Sequence, residues 1–168
     1  ANLQLTGQQN QMSLDGTYRS DNGVFNLNLD MDRLNISSIQ PFTAGNIDQG
    51  SGYVSGNFNI TGNTASPKII GALQFHDGAF RVVKLNSPFG LMNDRIDFSE
   101  KGLVFTNFSL ADAEKNLLTL KGAIDTPNYR DFAFNLNLNA DNFRAMNSKA
   151  KDNDLYYGKL FLDARLQI

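Results

Sequence analysis

Apolar and polar residues alternate strictly in two stretches, Phe25-Asn26-Leu27-Asn28-Leu29-Asp30-Met31 and Phe132-Ala133-Phe134-Asn135-Leu136-Asn137-Leu138-Asn139-Ala140. A period of two turns every apolar side chain to one face of an extended chain and every Asn to the other, which is the pattern of a half-buried β-strand. The same reading places strands at Leu3-Gln4-Leu5, Met12-Ser13-Leu14, Phe58-Asn59-Ile60, Leu73-Gln74-Phe75, Phe80-Arg81-Val82 and Ile96-Asp97-Phe98. It continues through Leu103-Val104-Phe105, Phe108-Ser109-Leu110, Leu118-Thr119-Leu120 and the run Leu160 to Leu166, so the chain holds about a dozen short strands.

Turn signals separate them at Asp15-Gly16, Asp21-Asn22-Gly23, Gly62-Asn63, His76-Asp77-Gly78, Glu100-Lys101-Gly102 and Thr126-Pro127-Asn128, spaced as hairpin connections. Helical periodicity is nearly absent. Only Asn35 to Phe42 and Asn142 to Ala150 predict a turn or two of helix, as connections or end plugs. The fold class is all-β: one elongated, curved, antiparallel or mixed sheet in a single β-rich domain over residues 1–168, with one or two very short helices.

A repeated unit supports a meander. Leu14-Asp15-Gly16 followed by Phe25 to Leu34 recurs as Leu120-Lys121-Gly122 followed by Phe134 to Phe143, with the apolar register kept. A weaker echo links Tyr53 to Ile60 with Leu155 to Leu162. Repetition of one β unit means that neighbours stack on neighbours.

Composition narrows the chemistry. The 168 residues hold 15 basic and 17 acidic side chains for a net charge of -2, no Cys, no Trp and one His. That excludes disulfide scaffolds, thiol chemistry, Cys-based zinc sites and a strongly basic nucleic-acid surface. No apolar run approaches the roughly 18 residues of a membrane-spanning helix, and no signal peptide is visible. Asn supplies 21 residues, poor strand formers that make sense here as the wet face of alternating strands.

No set of amphipathic helices exists to cover the apolar face, so it is either closed over by the sheet itself or left partly open as a trough. The predicted lining is Phe25, Leu27, Leu29, Phe58, Ile60, Phe75, Phe80, Phe98, Phe105, Phe134, Leu136 and Leu138. It carries no polar handle. Sites for polar small molecules set a few convergent hydrogen-bonding groups among apolar walls, whereas a uniformly apolar groove suits an acyl chain. The competing reading is an ordinary closed sandwich core.

Gly62-Asn63-Thr64-Ala65-Ser66-Pro67-Lys68-Ile69-Ile70-Gly71-Ala72-Leu73-Gln74-Phe75 resembles the recurring strand-turn-strand unit of the TamB family, within the AsmA-like group. Asp154-Leu155-Tyr156-Tyr157-Gly158 and the strand after it are similar to a second motif of that family, and Ser51 to Gly56 adds to the likeness. The resemblance covers most of the chain from about residue 50 onward, with spacing nearest the Bacteroidetes-type members. It implies a half-pipe, or β-taco, taken from a large protein of the Gram-negative envelope, its periplasmic portion held by an inner-membrane anchor elsewhere. It further implies phospholipid acyl chains as ligand in bridge-like transport between the membranes. The alternative role is translocation and assembly of outer-membrane proteins with an Omp85-type barrel (TamA-like). No cofactor, metal or nucleic acid is implied.

Other chemistry is thinner. His76 sits beside Asp77 in a surface turn with no recognisable nucleophile loop, so no enzyme is expected. Asp30/Asp32 and Asp152/Asp154 lack the Gly and Glu that continue a calcium loop. The sequons at Asn35, Asn59 and Asn107 are what an Asn-rich chain produces by chance. Tyr156-Tyr157 predicts one ring toward the trough and one away from it, and Arg81, Lys84, Arg95 and Lys101 are candidate rim residues for lipid headgroups.

Overall fold

The computed structural model describes residues 2–153 and 155–168. Among these the chain forms one antiparallel sheet of eleven strands. They are β1 (Asn2–Gly7), β2 (Asn10–Arg19), β3 (Val24–Asn35), β4 (Ile47–Asn63), β5 (Ser66–Val82) and β6 (Ser87–Leu91). Then come β7 (Arg95–Ser99), β8 (Gly102–Ala111), β9 (Leu117–Asp125), β10 (Ala133–Ser148) and β11 (Gly158–Gln167). Neighbours in sequence are neighbours in the sheet, except that β6 and β7 share the space between β5 and β8. The all-β class is therefore as the alternation predicts.

The register explains why one face is apolar throughout. Leu3 pairs with Leu14, Leu14 with Leu29, Leu29 with Phe58, Phe58 with Gly71 and Gly71 with Phe98. The row continues through Leu103, Ile124 and Phe134, so it crosses nine strands without a polar side chain. One residue along, the row Gln4, Ser13, Asp30, Asn57, Ala72, Asp97, Val104, Ala123, Asn135 lies on the opposite face. A slip of one residue in any ladder would exchange the two rows, so the alternation itself fixes the register.

The apolar face is concave. The rings of Phe89 on β6 and Phe143 on β10 stack 5.6 Å apart at 9°, although β8 and β9 lie between them in the sheet. Phe58 on β4 meets Phe98 on β7 edge to face at 5.3 Å, and Phe75 on β5 meets Phe108 on β8 at 5.6 Å. Glycine lets the backbone come close under these rings. A Cβ on Gly71, whose φ is +159°, would stand 2.1 Å from the Asn57 carbonyl and 2.8 Å from the Phe58 ring. The ring thus occupies the space a side chain would fill, the arrangement by which aromatics rescue glycines in strands.

Several sequence expectations change. His76-Asp77-Gly78 is no hairpin turn: β5 runs straight through it, with Asp77 at φ +46° beside irregular pairing with β4. Asp15-Gly16 likewise lies inside β2, and β6, with its Pro88, went unread. Asn142 to Ser148 is strand rather than helix, and only Lys149 and Ala150 lie beyond it, because a bulge at Ala140/Phe143, with Asn142 at φ +47°, redirects β10 without ending it. The other predicted helix exists as α1 (Ile36–Ile39) and the 3-10 turn Gln40–Thr43, and it does plug one end of the trough.

The main repeat is structural. Gly16 faces Leu27 as Gly122 faces Leu136, and Leu14 faces Leu29 as Leu120 faces Leu138. The bulge at Met31/Leu34 recurs at Ala140/Phe143. The weaker echo fails, since the pairing makes Leu166, and not Leu160, the counterpart of Phe58.

Packing differs sharply along the concave face: Phe143 is 2% exposed and Phe134 54%. Phe143→Ala is expected to cost about 3 to 5 kcal/mol of unfolding free energy, the usual range for a buried ring. Phe134→Ala, at an exposed site, should cost less than about 1 kcal/mol. Urea unfolding of both variants measures the contrast, and equal losses would mean the trough is closed over Phe134.

Candidate functional site: an open apolar trough

The structure brings all twelve predicted lining residues to the concave face. Phe58, Phe105 and Leu136 are buried, Phe134 is exposed, and the other eight are half-buried. Few apolar side chains are fully covered, namely Ile36, Val54, Phe58, Phe89, Phe105, Leu136 and Phe143 among the described residues. The total accessible surface is 10307 Å². A compact monomer of this 18.6 kDa mass exposes about 8,200 Å². The molecule therefore exposes more surface than a compact body of its mass, and Phe134, Leu3 and Leu166 on the apolar face are among the exposed side chains.

Three devices hold the curl. The first is a carboxylate clasp: Asp112, 5% exposed, accepts bonds from the backbone N–H of Glu114 (2.8 Å), Asn116 (2.9 Å) and Arg144 (2.7 Å) and from the Asn116 amide (3.1 Å). It joins the β8–β9 turn to β10 just beyond the bulge. Burial pushes the Asp112 carboxyl up, but these donors outweigh it and hold the group below its ordinary range. The second is Arg81, whose Nε donates to Asp48 at 2.8 Å and whose Nη1 donates to Asn86 at 3.1 Å. Asn86 in turn donates to the Asn147 carbonyl on β10 at 3.1 Å. The Arg81 guanidinium hydrogen-bonds Asp48 and keeps that carboxyl low as well.

The third device lies at the opposite end, where Arg130 in the β9–β10 loop reaches the Thr64 carbonyl of the β4–β5 turn at 3.5 Å. Tyr129 beside it has its hydroxyl buried, which pushes its pKa up.

The convex face is a lattice of amides. Asn59 donates to Asn28 at 3.0 Å, Asn57 donates to Asp30, and Gln11 donates to Asp32 at 2.8 Å. Asp30 and Asp32 thus serve cross-strand bonds. Asp152 accepts from the Lys149 N–H at 2.8 Å, while its predicted companion Asp154 lies outside the described residues. Arg95 pairs with Asp97 at 2.6 Å, so neither it nor Arg81 is a free rim cation.

Sequence reasoning missed a stack on the convex face. The Tyr53 ring lies 4.3 Å from His76 at 10°, and the Arg33 guanidinium sits 4.0 Å from the same ring. Two groups centred over one ring this closely must occupy its two sides. Ser55 Oγ is 2.8 Å from His76 Nε2. The signal available in the sequence was the spacing Tyr53-x-Ser55 opposite His76 in the β4–β5 ladder. Tyr156 and Tyr157 precede β11 instead of lying in it, and both are exposed, so strand alternation does not govern them.

Polar outside, apolar inside and open to solvent, the sheet belongs to the class of half-pipe β proteins. Residues 106–168 match the family model described as the TamB C-terminal domain, so that stretch of the chain is similar to the TamB family. The match runs from the middle of β8 to the last residue and takes in Phe134, Leu136 and Leu138 together with the Asp154-Leu155-Tyr156-Tyr157-Gly158 motif. The Gly62 to Phe75 segment lies outside it. No curated protein and no solved structure matches the chain.

The clasp has a signed pH dependence. Asp112 and Asp48 are held below the ordinary carboxylate pKa of about 4, so their stabilisation is present above that pH and is lost as pH falls through their folded values. Asp112→Asn is expected to cost about 1 to 3 kcal/mol at neutral pH. Its deficit against the parent protein should shrink as pH falls through the parent's lowered folded value, because the parent's carboxyl is then protonated too. Thermal melts from neutral to acid pH follow this directly; a deficit constant with pH would remove the charge from the account.

Proposed function

We propose that this chain is a segment of a bridge-like protein of the Gram-negative envelope, in which the concave apolar face holds phospholipid acyl chains in transit between inner and outer membranes. The observation that carries the proposal is the row of apolar residues running unbroken across nine strands, on a face half open to solvent. Each methylene moved from water into such a trough gains about 0.8 kcal/mol, while the headgroup stays hydrated at the open side. The trough wall offers the chain no hydrogen bond, so it holds no headgroup in place and fixes no single seat by a directional bond. That is what a conduit needs and what a specific binding pocket avoids.

A second reading keeps one observation of its own. All six residues of β1 are exposed, and its outer edge pairs with nothing among the described residues. An open strand edge templates another strand by main-chain hydrogen bonding. In this reading the segment assists outer-membrane proteins during assembly with an Omp85-type barrel.

Native mass spectrometry of the protein purified without detergent tests the first reading. Phospholipid should accompany the parent protein, and Leu27→Asp should reduce its occupancy by at least about tenfold, since a carboxylate in an apolar seat is left unpaired. Far-ultraviolet circular dichroism should stay unchanged, because Leu27 is only half-buried. Lipid retained in full by a folded Leu27→Asp protein would reject the acyl-chain trough and favour strand templating.

A further inference from the structure

At the helical end of the trough, α1 and the 3-10 turn Gln40–Thr43 roof a cavity of about 200 Å³. Its floor is Val54, Leu73 and Phe75, its far wall Phe80 and Leu91, and its roof Ile36 and Ile39. No polar surface faces the cavity. That is not because polar residues are missing from its wall, since Gln40 and Thr43 both belong to it. Gln40 Oε1 accepts from the Gly50 N–H at 2.6 Å, and Thr43 Oγ donates to the Gln40 carbonyl at 2.8 Å. The Ile47 N–H donates to the Thr43 hydroxyl at 3.2 Å. Gln40 Oε1 and the Thr43 hydroxyl are thus bonded to backbone, and only hydrocarbon faces the interior.

The cavity continues the trough. Leu34 pairs with Val54 and Val54 with Phe75, while Met31 pairs with Gly56 and Gly56 with Leu73, so its floor is the next part of the concave lining. The roof is pinned from both sides. Asn10 Nδ2 donates to Ser38 Oγ at 2.9 Å, the Asn35 N–H donates to Asn10 Oδ1 at 2.8 Å, and Gln40 is tied to β4 through Gly50. Ile36 is buried, and the space beneath it is a preformed cavity.

We propose that this cavity is the seat for the terminal methyl end of an acyl chain lying in the trough, with α1 and its 3-10 turn as the end stop; this rests on the acyl-chain reading above. An apolar cavity gives water no partners, and cavities of this kind stay dry and take apolar ligands. At about 30 Å³ for a group the size of a water, it holds roughly six methylenes. A linear hydrocarbon end fits that space and that wall. A headgroup does not, so a chain seated here enters tail first and its polar end points away from α1.

The test loads the protein from vesicles containing an equimolar mixture of short-chain and long-chain phosphatidylglycerols and reads the bound species by native mass spectrometry. Leu91→Trp fills the cavity from its wall, and Ile39→Trp fills it from the roof at a side chain already partly exposed. The parent should select the long chains. Each folded tryptophan variant should bind as much lipid in total, with the selection moved to shorter chains by roughly the six carbons the cavity holds. If Leu91→Trp does not fold, Ile39→Trp carries the test. An unchanged chain-length selection in a folded variant that still binds lipid overturns the end stop and leaves the trough standing. A parent protein that takes up no lipid overturns both.

Discussion

The constraint on which this structure depends is the absence of a second layer. Alternation along the strands generates one apolar face and one largely polar face, and among the described residues no helix is long enough to cover the former. A flat sheet would leave that face to water. Apart from the short roof of α1 and its 3-10 turn, the cover comes from the sheet itself, and the molecule bends its apolar face inward until rings from distant strands touch. Phe89 against Phe143 is where this bending completes, and Phe134 is where it stops short. Closure at one end and openness at the other follow from where the aromatic rings fall.

Curvature of this kind has to be built into the backbone. Gly16 and Gly122 bring strands so close that a Cβ would stand 2.1 Å from the carbonyls of Asn26 and Asn135, and each faces a leucine of the lining. The bulges at Met31/Leu34 and Ala140/Phe143 recur at matching places in the two copies of the repeat. Glycines and bulges together bend and coil a sheet that ideal pairing would keep flatter. Asp112 then locks the bent state by spending one buried carboxylate on four donors from the β8–β9 turn and β10. A hydrogen-bonded charge suits this task because its bonds are directional, whereas apolar contact alone would let the strands slide.

Most of the fold was legible because alternation encodes face, and face encodes everything a one-sheet protein must decide. Phe25, Leu27 and Leu29 could be placed on the lining from sequence alone, as could the polar role of Asn26 and Asn28. What alternation does not encode is a change of direction within a strand. His76-Asp77-Gly78 and Asp15-Gly16 have turn chemistry, yet both sit inside long strands, because the local preference for positive φ serves a bulge or a close approach as readily as a hairpin. Asn142 carried the same ambiguity. The clasp at Asp112, the Tyr53 stack and the cavity beneath α1 were invisible for another reason: each joins residues far apart in sequence, through contacts that no local pattern records.

The trough is not the same along its length, and the difference bears on how it works. Over the central strands the wall repeats leucine, phenylalanine and glycine, and a hydrocarbon chain gains much the same free energy at every position. On the acyl-chain reading, a ligand there would be held by total contact with hydrocarbon and by no directional bond. At the helical end the wall rises into a roof, and a chain end would meet hydrocarbon above it as well as below. Burial per methylene is greatest there, so the otherwise level path ends in its deepest well. A surface built only to shield lipid would gain nothing from such a well. A surface that must receive a chain in one orientation would, because the first part to be captured is then the tail, and the headgroup is left at the open side where water and any neighbouring segment can reach it.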